Sequence, residues 1–586
     1  MSYIAPISAI AFTLDHIADL SVDVTDGLHG ELTADIQASI LTEAGKFAVD
    51  NLAPLNRQGD LVGARFADGV VTMPTGWREV FAQWSAAGWN SVDLPSEWGG
   101  MGLPTRLAAA CMELWTSACM SFALCPVLGQ GATDALHKHG STPLKTAWLP
   151  KLVSGEWTAT MNLTEPQAGS DLGALRTLAV PRGDGTYLIT GSKCFISYGE
   201  HDLTDNIVHF VLARLPDAPQ GTRGISLFLV PKILPGGTRN DVRCVGVEHK
   251  LGIHASPTCT MVFGESGGAV GWLIGTEHHG LACMFTMMNK ARLYTGLQGV
   301  AIAERAYQQA MAYAKQRRQG RAIGSADISP IIAHPDVRRN LMTMKALIWA
   351  GRAIAYNAAA AIDRARSKTD PAADELAGLL TPITKAFCSE IGVEVTSLGI
   401  QIHGGAGYVE ETGAAQHFRD ARIAPIYEGA NGIQAIDLVM RKVLRPESTC
   451  AATTIEMLRS IGVSAQNRRD SDLHAVGAIV VESADALGRA TDWLREKDRT
   501  PDELLTIASP YLRLFGITAG AGFLLKGAIA ASDRLMHGDC DPIYRDAIAT
   551  TGFYANTIAL MASALARIIT ADRGPQAAKL PADFLI

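Results

Sequence analysis

The chain has no basic excess: 51 lysines and arginines stand against 58 acids, for a net charge of −7. Nothing global therefore draws it to nucleic acid or acidic lipid, and any anion site must be built locally from a few arginines and backbone amides. The ten cysteines (111, 119, 125, 194, 244, 259, 283, 388, 450 and 540) never form Cys-x-x-Cys. That spacing supports neither a zinc site nor a disulfide framework in a chain this large, so no metal is expected. Reduced, mostly buried thiols in a cytoplasm are the expected state. The stretch from Met1 to Leu20 lacks a basic start and carries Asp15 and Asp19, unlike a secretory signal. The most membrane-like stretch, Leu514 to Leu525, lies between Arg513 and Lys526. Its length of about twelve residues is below the roughly twenty needed to cross a bilayer, which reads as a buried helix and leaves no membrane span. No internal repeat or low-complexity tract is evident.

What is present reads as globular: 48% apolar and 19% charged residues over 586 positions, enough for about four domains. Residues 1 to about 155 are helical in pattern, with apolar positions Trp77, Val80, Phe81, Trp84 and again Leu107, Cys111, Leu114, Trp115. Between them Leu94 to Gly100 is a turn-rich break. From near Thr158 to about Leu273 come short β-branched runs bounded by turn residues: Tyr187–Thr190, Ile207–Ala213, Ile225–Val230, Val242–Val247 and Thr258–Phe263. They predict a compact antiparallel barrel or sandwich. Helical periodicity returns at about Leu281, where Leu293, Leu297, Val300, Ala303, Tyr307, Ala310 and Ala314 keep one stripe. Leu341–Ile362, Pro382–Leu398 and a helix after Glu428 (Ile433, Ile436, Val439, Met440, Val443) complete the makings of a four-helix bundle. After the break at Arg445–Ser448, Leu473, Val476, Val480, Ala484, Leu487 and Leu494 form another stripe, and Thr500-Pro501-Asp502-Glu503 reads as a helix start. The expected division is an amino-terminal extension (1–35), a helical domain (36–157), a central β domain (158–275), a helical bundle (280–446) and an additional helical domain (455–586).

The most informative stretch is Ile426-Tyr427-Glu428-Gly429-Ala430-Asn431-Gly432, which sets one carboxylate between an aromatic and a glycine at a helix entrance. An acid there is stabilised by the helix dipole and free amides, so a capping glutamate is the plain alternative. Two further segments keep it company: Leu163-Thr164-Glu165-Pro166-Gln167-Ala168-Gly169-Ser170-Asp171 and Gln401-Ile402-His403-Gly404-Gly405. Together, in this order, they resemble the acyl-CoA dehydrogenase family of flavoenzymes, over roughly residues 75 to 446. The resemblance implies a mainly helical fold with a central β domain: an amino-terminal helical domain, a β-barrel or sandwich and a four-helix bundle, here followed by a helical extension. That extension points to the longer subgroup, which includes enzymes acting on 3-methylmercaptopropionyl-CoA or on fatty acyl-CoA.

The implied reaction is α,β-desaturation of an acyl-CoA thioester. A base removes the α-proton, a hydride acceptor faces the β-carbon, and the thioester oxygen is stabilised as charge develops. No side chain accepts a hydride, so the cofactor, FAD, is obligatory. By resemblance Glu428 is the base, with a pKa raised in a dry pocket, and its backbone amide helps hold the thioester oxygen. Some relatives carry the base just before an arginine on the long helix, where this chain has Ala291 before Arg292. Gly429 allows close approach of substrate to backbone. Arg292 contacts the CoA side or steadies the Glu428 loop, a surface ion pair being the alternative. Met161, Leu163, Thr164 and Ser170 would meet the flavin edge and pyrophosphate, Ser170 also the substrate; a simple Pro-Gly-Ser turn is the alternative. Phe195, Ile196 and Ser197 match the segment that lies against the flavin ring, with Phe195 in place of the usual tryptophan. Arg317 and Gln319 would bind the pyrophosphate of a neighbouring subunit's cofactor, unless Arg317 only serves the dipole of its helix end. Gln401, Gly404 and Gly405 would meet the adenosine end of that shared cofactor. Ala430, Asn431 and Gly432 would touch the adenylate moiety, Ala430 lacking the usual threonine hydroxyl. The chain is thus expected to act as a homodimer or dimer of dimers in the cytoplasm, passing electrons to an electron-transfer flavoprotein. Chain length and the run Gly199-Glu200-His201-Asp202 favour 3-methylmercaptopropionyl-CoA, with medium- or long-chain fatty acyl-CoA close behind. Two other readings stay open: an acyl-CoA oxidase using oxygen directly, and a nucleic-acid-binding flavoprotein on the same fold. The second should show a basic stripe on the carboxy-terminal domain, whereas Glu482, Asp485, Asp492 and Glu496 interleave this one.

Overall fold

A computed structural model of the chain describes residues 3–29, 32–367, 370, 372–468 and 470–571. Positions 572–586 of the expected terminal helical domain lie outside the described residues. The chain divides into two compact units: a helical unit of Met1–Gly45, Thr105–Ser117 and Arg292–Ile586, and a barrel unit of Lys46–Pro104 and Ala118–Ala291.

The barrel unit opens with a small hairpin, β1 (Arg65–Ala67) against β2 (Val70–Thr72). Eight further strands follow: β3 (Thr158–Asn162), β4 (Leu178–Pro181), β5 (Tyr187–Ser197), β6 (Ile207–Arg214), β7 (Ile225–Pro231), β8 (Val242–Val247), β9 (Thr258–Phe263) and β10 (Ala269–Ile274). The order β10-β7-β6-β4-β5 returns on itself because β10 also pairs with β5, while β9 and β8 extend from the far half of β5. Two of the ladders are parallel, β3 with β6 and a single pair between β4 and β6, where an antiparallel arrangement was expected. Alternating or continuous apolar runs reveal strands but carry no information about direction, which the connections set. β5 runs seven residues beyond the expected Tyr187–Thr190. β4 and β10 escape the sequence pattern because one is short and ends in Pro181 and the other holds Gly271, both weak strand formers. Inside, Val211, Phe228, Val230, Ile189 and Phe263 form one apolar cluster, and Phe210, Leu212, Leu227 and Leu229 another with Trp148 and Met287. These sets alternate along β6 and β7, so both faces of the two strands are buried.

In the helical unit the predicted stripes become long helices: Gly280–Gln316 (from Arg292 onward), Pro335–Ser367 and Ala373–His403. The third begins nine residues before the expected Pro382, which sits inside it. Neighbouring Thr381 returns its hydroxyl to Ala377 O at 2.7 Å, and burial of the helix outweighs the lost proline hydrogen bond. The first and third helices meet backbone to backbone. A Cβ on Gly299 would stand 2.0 Å from Cys388 O, so only glycine permits this crossing. The helix after Glu428 is short (Asn431–Asp437) and continues as a π-turn, Leu438–Val443. Val439 and Val443 are buried as expected, whereas Met440, inside the π-turn, is exposed, and so is Ile433 before it. Beyond it come Cys450–Gln466, Ser471–Arg495, Pro501–Met536, Pro542–Tyr554 and Met561–Ile569. Thr500 and Glu503 form the reciprocal cap that the sequence announced, and every residue of the Leu473-to-Leu494 stripe is buried. Two helices, Pro501–Met536 and Pro542–Ile569, are long and apolar enough to span a membrane on length and composition. The apolar window of the first is 83% buried within the protein, as befits a core helix. Buried charges are closed into networks: Arg352 bonds Glu113 at 2.6 Å and Glu304 at 3.0 Å, and the Tyr356 hydroxyl donates to Glu113 at 2.7 Å. All ten cysteines are free thiols, eight of them buried.

Candidate active site

In the barrel unit the segment after β3 folds back on itself, with Glu165 and Ala168 exchanging backbone bonds of 3.1 and 2.9 Å. Glu165 is 4% exposed and ties the segment down. It accepts hydrogen bonds from the Arg176 amide at 2.7 Å, the Thr177 amide at 3.0 Å and Lys193 Nζ at 2.8 Å. Burial alone would raise its pKa, but Lys193 and these donors hold it down at about 2. Lys193, fully buried, also donates to Leu163 O at 3.0 Å, and burial lowers its pKa to about 8 against the pull of Glu165. The Cys194 amide donates to Thr164 O at 3.0 Å. The Thr164 segment and β5 are thereby clamped side by side.

Just past that clamp the β5–β9 register slips between Lys193 and Ile196. Phe195 takes a left-handed φ of +59° and stands 63% exposed, a flat ring turned out of the barrel by the bulge. Among the described residues the hydroxyls of Thr164, Ser170 and Ser197 make no hydrogen bond to the protein and are available to a ligand. The side chains of Met161 and Ile196 are buried in the apolar clusters, which leaves their backbone to meet a cofactor. Leu163 is half-buried against the same core. The run Gly199–Asp202 is scaffold. Glu200 pairs with Lys232 and with Arg239, buried His201 bonds Thr158 Oγ1 at 2.9 Å, and Asp202 accepts from the Met73 amide at 3.0 Å.

In the helical unit the Glu428 loop is held from three sides. The Tyr427 hydroxyl donates to Gln298, Arg292 Nε donates to Glu428 O at 3.4 Å, and Lys385 Nζ donates to Gly429 O at 2.7 Å. Arg292 thus steadies the loop, one of the two roles foreseen for it. Glu428 and Gly429 are both left-handed, with φ of +57° and +88°. The φ of Gly429 is one that L side chains rarely adopt, so the loop's own turn calls for the glycine. The Glu428 carboxylate is half-buried and, among the described residues, neither it nor its backbone N–H makes a hydrogen bond. Burial raises its pKa to about 7, against the opposing charges of Arg292 and Lys385. It is not a helix cap, for the helix starts at Asn431 with Ala430 as its uncapped N-cap residue. Asn431, expected at the adenylate, is an internal brace: its amide donates to Ala386 O and Ser389 Oγ, both at 3.1 Å, and it accepts from Lys385 at 3.0 Å. Ala430 is half-buried and Gly432 exposed.

A second cluster forms where two helices end together. Tyr313 and His403 stack with ring centroids 4.5 Å apart, which brings Arg317 and Gln319 to the same region as Gln401, Gly404 and Gly405. All five are exposed, and among the described residues the Arg317 guanidinium has no partner. A Cβ on Gly404 or Gly405 would meet open space. The donors present — one guanidinium, two amides and bare glycine backbone — suit a phosphate or ribose. Sequence reasoning missed Lys385, Gln434 and the Glu165–Lys193 clamp. Lys385 had a signal, a lone charge in the apolar run Ile383 to Cys388, whereas only tertiary contact discloses the others.

Domain families match along the chain in order: Acyl-CoA dehydrogenase, N-terminal domain, over residues 35–156; its middle domain over 160–266; its C-terminal domain over 278–444; and Acetyl-CoA dehydrogenase C-terminal like over 449–577. A 3-methylmercaptopropionyl-CoA dehydrogenase of Ruegeria pomeroyi is 45% identical, across 96% of this chain and 97% of that protein. In fold the chain is similar to Caenorhabditis elegans ACDH-11 in complex with C11-CoA, with a TM-score of 0.78 at 20% identity over 94% of this chain and 91% of that one. An acyl-CoA dehydrogenase complexed with FAD from Bacillus anthracis gives a TM-score of 0.75 at 21% identity, over 94% and 90%.

Proposed function

Because the chain belongs to the acyl-CoA dehydrogenase family, we propose that Glu428 is the base that takes the α-proton of an acyl-CoA thioester. The reaction is α,β-desaturation and the cofactor is FAD, which when bound supplies the hydride acceptor that side chains lack. One observation carries the assignment of the base: Glu428 is a half-buried carboxylate with no hydrogen bond to the protein and a pKa raised to about 7. A carboxylate in that range is basic enough to accept a carbon-bound proton and is still largely ionised near neutrality. The free Glu428 N–H is a donor for the thioester oxygen, where negative charge develops. Arg292 and Lys385 fix the carbonyls of residues 428 and 429, so both groups are presented by a loop that does not have to reorganise.

The residues suited to holding FAD are Thr164, Ser170, Phe195 and Ser197 on the barrel unit. Arg317, Gln319, Gln401, Gly404 and Gly405 would hold it from a second subunit, making the active form a homodimer or a dimer of dimers. Free hydroxyls beside an exposed, outward-turned aromatic fit a flat, hydrogen-bonding ring. The electron acceptor is an electron-transfer flavoprotein. Near-full-length similarity to the Ruegeria pomeroyi relative supports 3-methylmercaptopropionyl-CoA as substrate. Ten free thiols support a reducing compartment, the cytoplasm. In the carboxy-terminal helices Arg459 pairs with Asp485 and Arg513 with Glu390 and Glu394, and these ion pairs weigh against a nucleic-acid reading.

Anaerobic bleaching of the flavin by a panel of acyl-CoA thioesters, one of them 3-methylmercaptopropionyl-CoA, tests reaction and substrate together; absence of bleaching by every thioester refutes the assignment. Since Glu428 acts ionised, the bleaching rate should climb with pH through about 7 and level off above. A flat profile between about pH 6 and 9 contradicts this. Arg317→Ala should weaken FAD retention about 10- to 100-fold, the worth of a charge-assisted bond to phosphate, as read by FAD released on ultrafiltration. Unchanged retention would assign Arg317 to its helix end alone.

A further inference from the structure

Lys385, which holds the Gly429 carbonyl, also brings a buried positive charge to the base loop. It projects from the middle of the Ala373–His403 helix, is 0% exposed, and bonds Gly429 O at 2.7 Å and Asn431 Oδ1 at 3.0 Å. Neither partner is a carboxylate. A buried ammonium held by neutral acceptors is costly unless nearby negative charge compensates it, and the nearest such charge on the loop it grips is Glu428. Asn431 continues the tie, donating to Ser389 and Glu390 on the same helix, so the loop is bolted to that helix at residues 429 and 431. Gln434 Nε2 gives Gly429 O a weaker second contact at 3.5 Å.

We propose that Lys385 is a positioning residue for the reaction: its ammonium clamps the left-handed Glu428–Gly429 turn and adds a buried positive charge, beside that of Arg292, that favours the ionised Glu428 carboxylate. The inference rests on Glu428 being the base. Other charges face the pair from every neighbouring element. Arg292 comes from the Gly280–Gln316 helix, with Asp437 and Arg441 of the helix after the loop acting on it, and Glu390 shares the helix of Lys385 and is bonded by Arg513. Arg292 is the larger opposing charge on Glu428 and Lys385 adds to it, whereas Glu390 acts on the lysine itself. Burial lowers the Lys385 pKa to about 7 and Glu428 opposes that shift, so the ammonium and the carboxylate favour each other's charged forms.

Replacing the ammonium with a neutral group should raise the apparent pKa of the base. Lys385→Met is expected to move the rising limb of the bleaching profile up by about one pH unit and to slow bleaching at pH 7 about fivefold. Lys385→Arg, which keeps the charge, should restore the limb to within about 0.3 unit of the parent. If Lys385→Met does not fold, Lys385→Gln replaces it, a neutral side chain that still carries an N–H donor, with the same displacement expected. A neutral variant with the parental limb overturns the proposal, and so does an arginine variant displaced as far as the neutral one. The premise is tested separately by Glu428→Gln: bleaching that survives there refutes the base, whereas lost bleaching there with an unmoved limb in Lys385→Met refutes only the clamp.

Discussion

Glu428→Gln should leave a yellow, FAD-loaded protein whose flavin no longer bleaches with acyl-CoA, the anaerobic rate falling about 10²- to 10⁴-fold, the usual worth of a positioned general base. Size and loop geometry are nearly conserved by this exchange, and the two left-handed residues, the Arg292 bond to Glu428 O and the Lys385 bond to Gly429 O all involve backbone that glutamine retains. Loss of rate with intact flavin absorbance therefore isolates the carboxylate as proton acceptor. A variant that bleaches at the parental rate would place the base elsewhere.

The second large effect concerns the segment that would carry the flavin edge. Glu165→Ala removes the acceptor shared by Lys193 and the Arg176 and Thr177 amides, all inside the barrel unit. It leaves a fully buried ammonium with only Leu163 O as partner. Breaking one side of a buried pair costs about 3–5 kcal/mol, so unfolding by urea should shift to lower denaturant and FAD should be retained poorly. Removing both charges, Glu165→Gln with Lys193→Met, should recover much of that loss; a double variant no better than Glu165→Ala would show that the amide bonds and not the ion pair hold the segment. The same carboxylate gives the fold an acid limit. Its folded pKa, about 2, lies below the ordinary 4.5, so its contribution is complete above pH 4.5 and disappears as pH falls through 2.

Much of this was legible in residues alone. The stripe from Leu473 to Leu494 is buried throughout, and Thr500 to Glu503 caps its helix, because helical periodicity and capping chemistry are local. β8 and β9 span the predicted residues, since short apolar runs bounded by turns declare themselves. β4 and β10 did not, and the parallel contacts of β6 could not, since strand direction depends on connections and not on composition. Met440, inside the π-turn at Leu438–Val443, is likewise exposed where simple periodicity had assigned it to the core.

The family was legible in contiguous motifs, and the same motifs suggested Glu428 as the base proposed here and the residue types suited to a phosphate or a flat ring, because their chemistry is local. How that carboxylate is tuned emerges from packing alone. Its raised pKa, the left-handed turn that presents it and the buried lysine beneath Gly429 depend on groups separated by 136 and 44 positions in the chain. Desolvation and through-space charge are properties of a packed interior, and no window of sequence contains them.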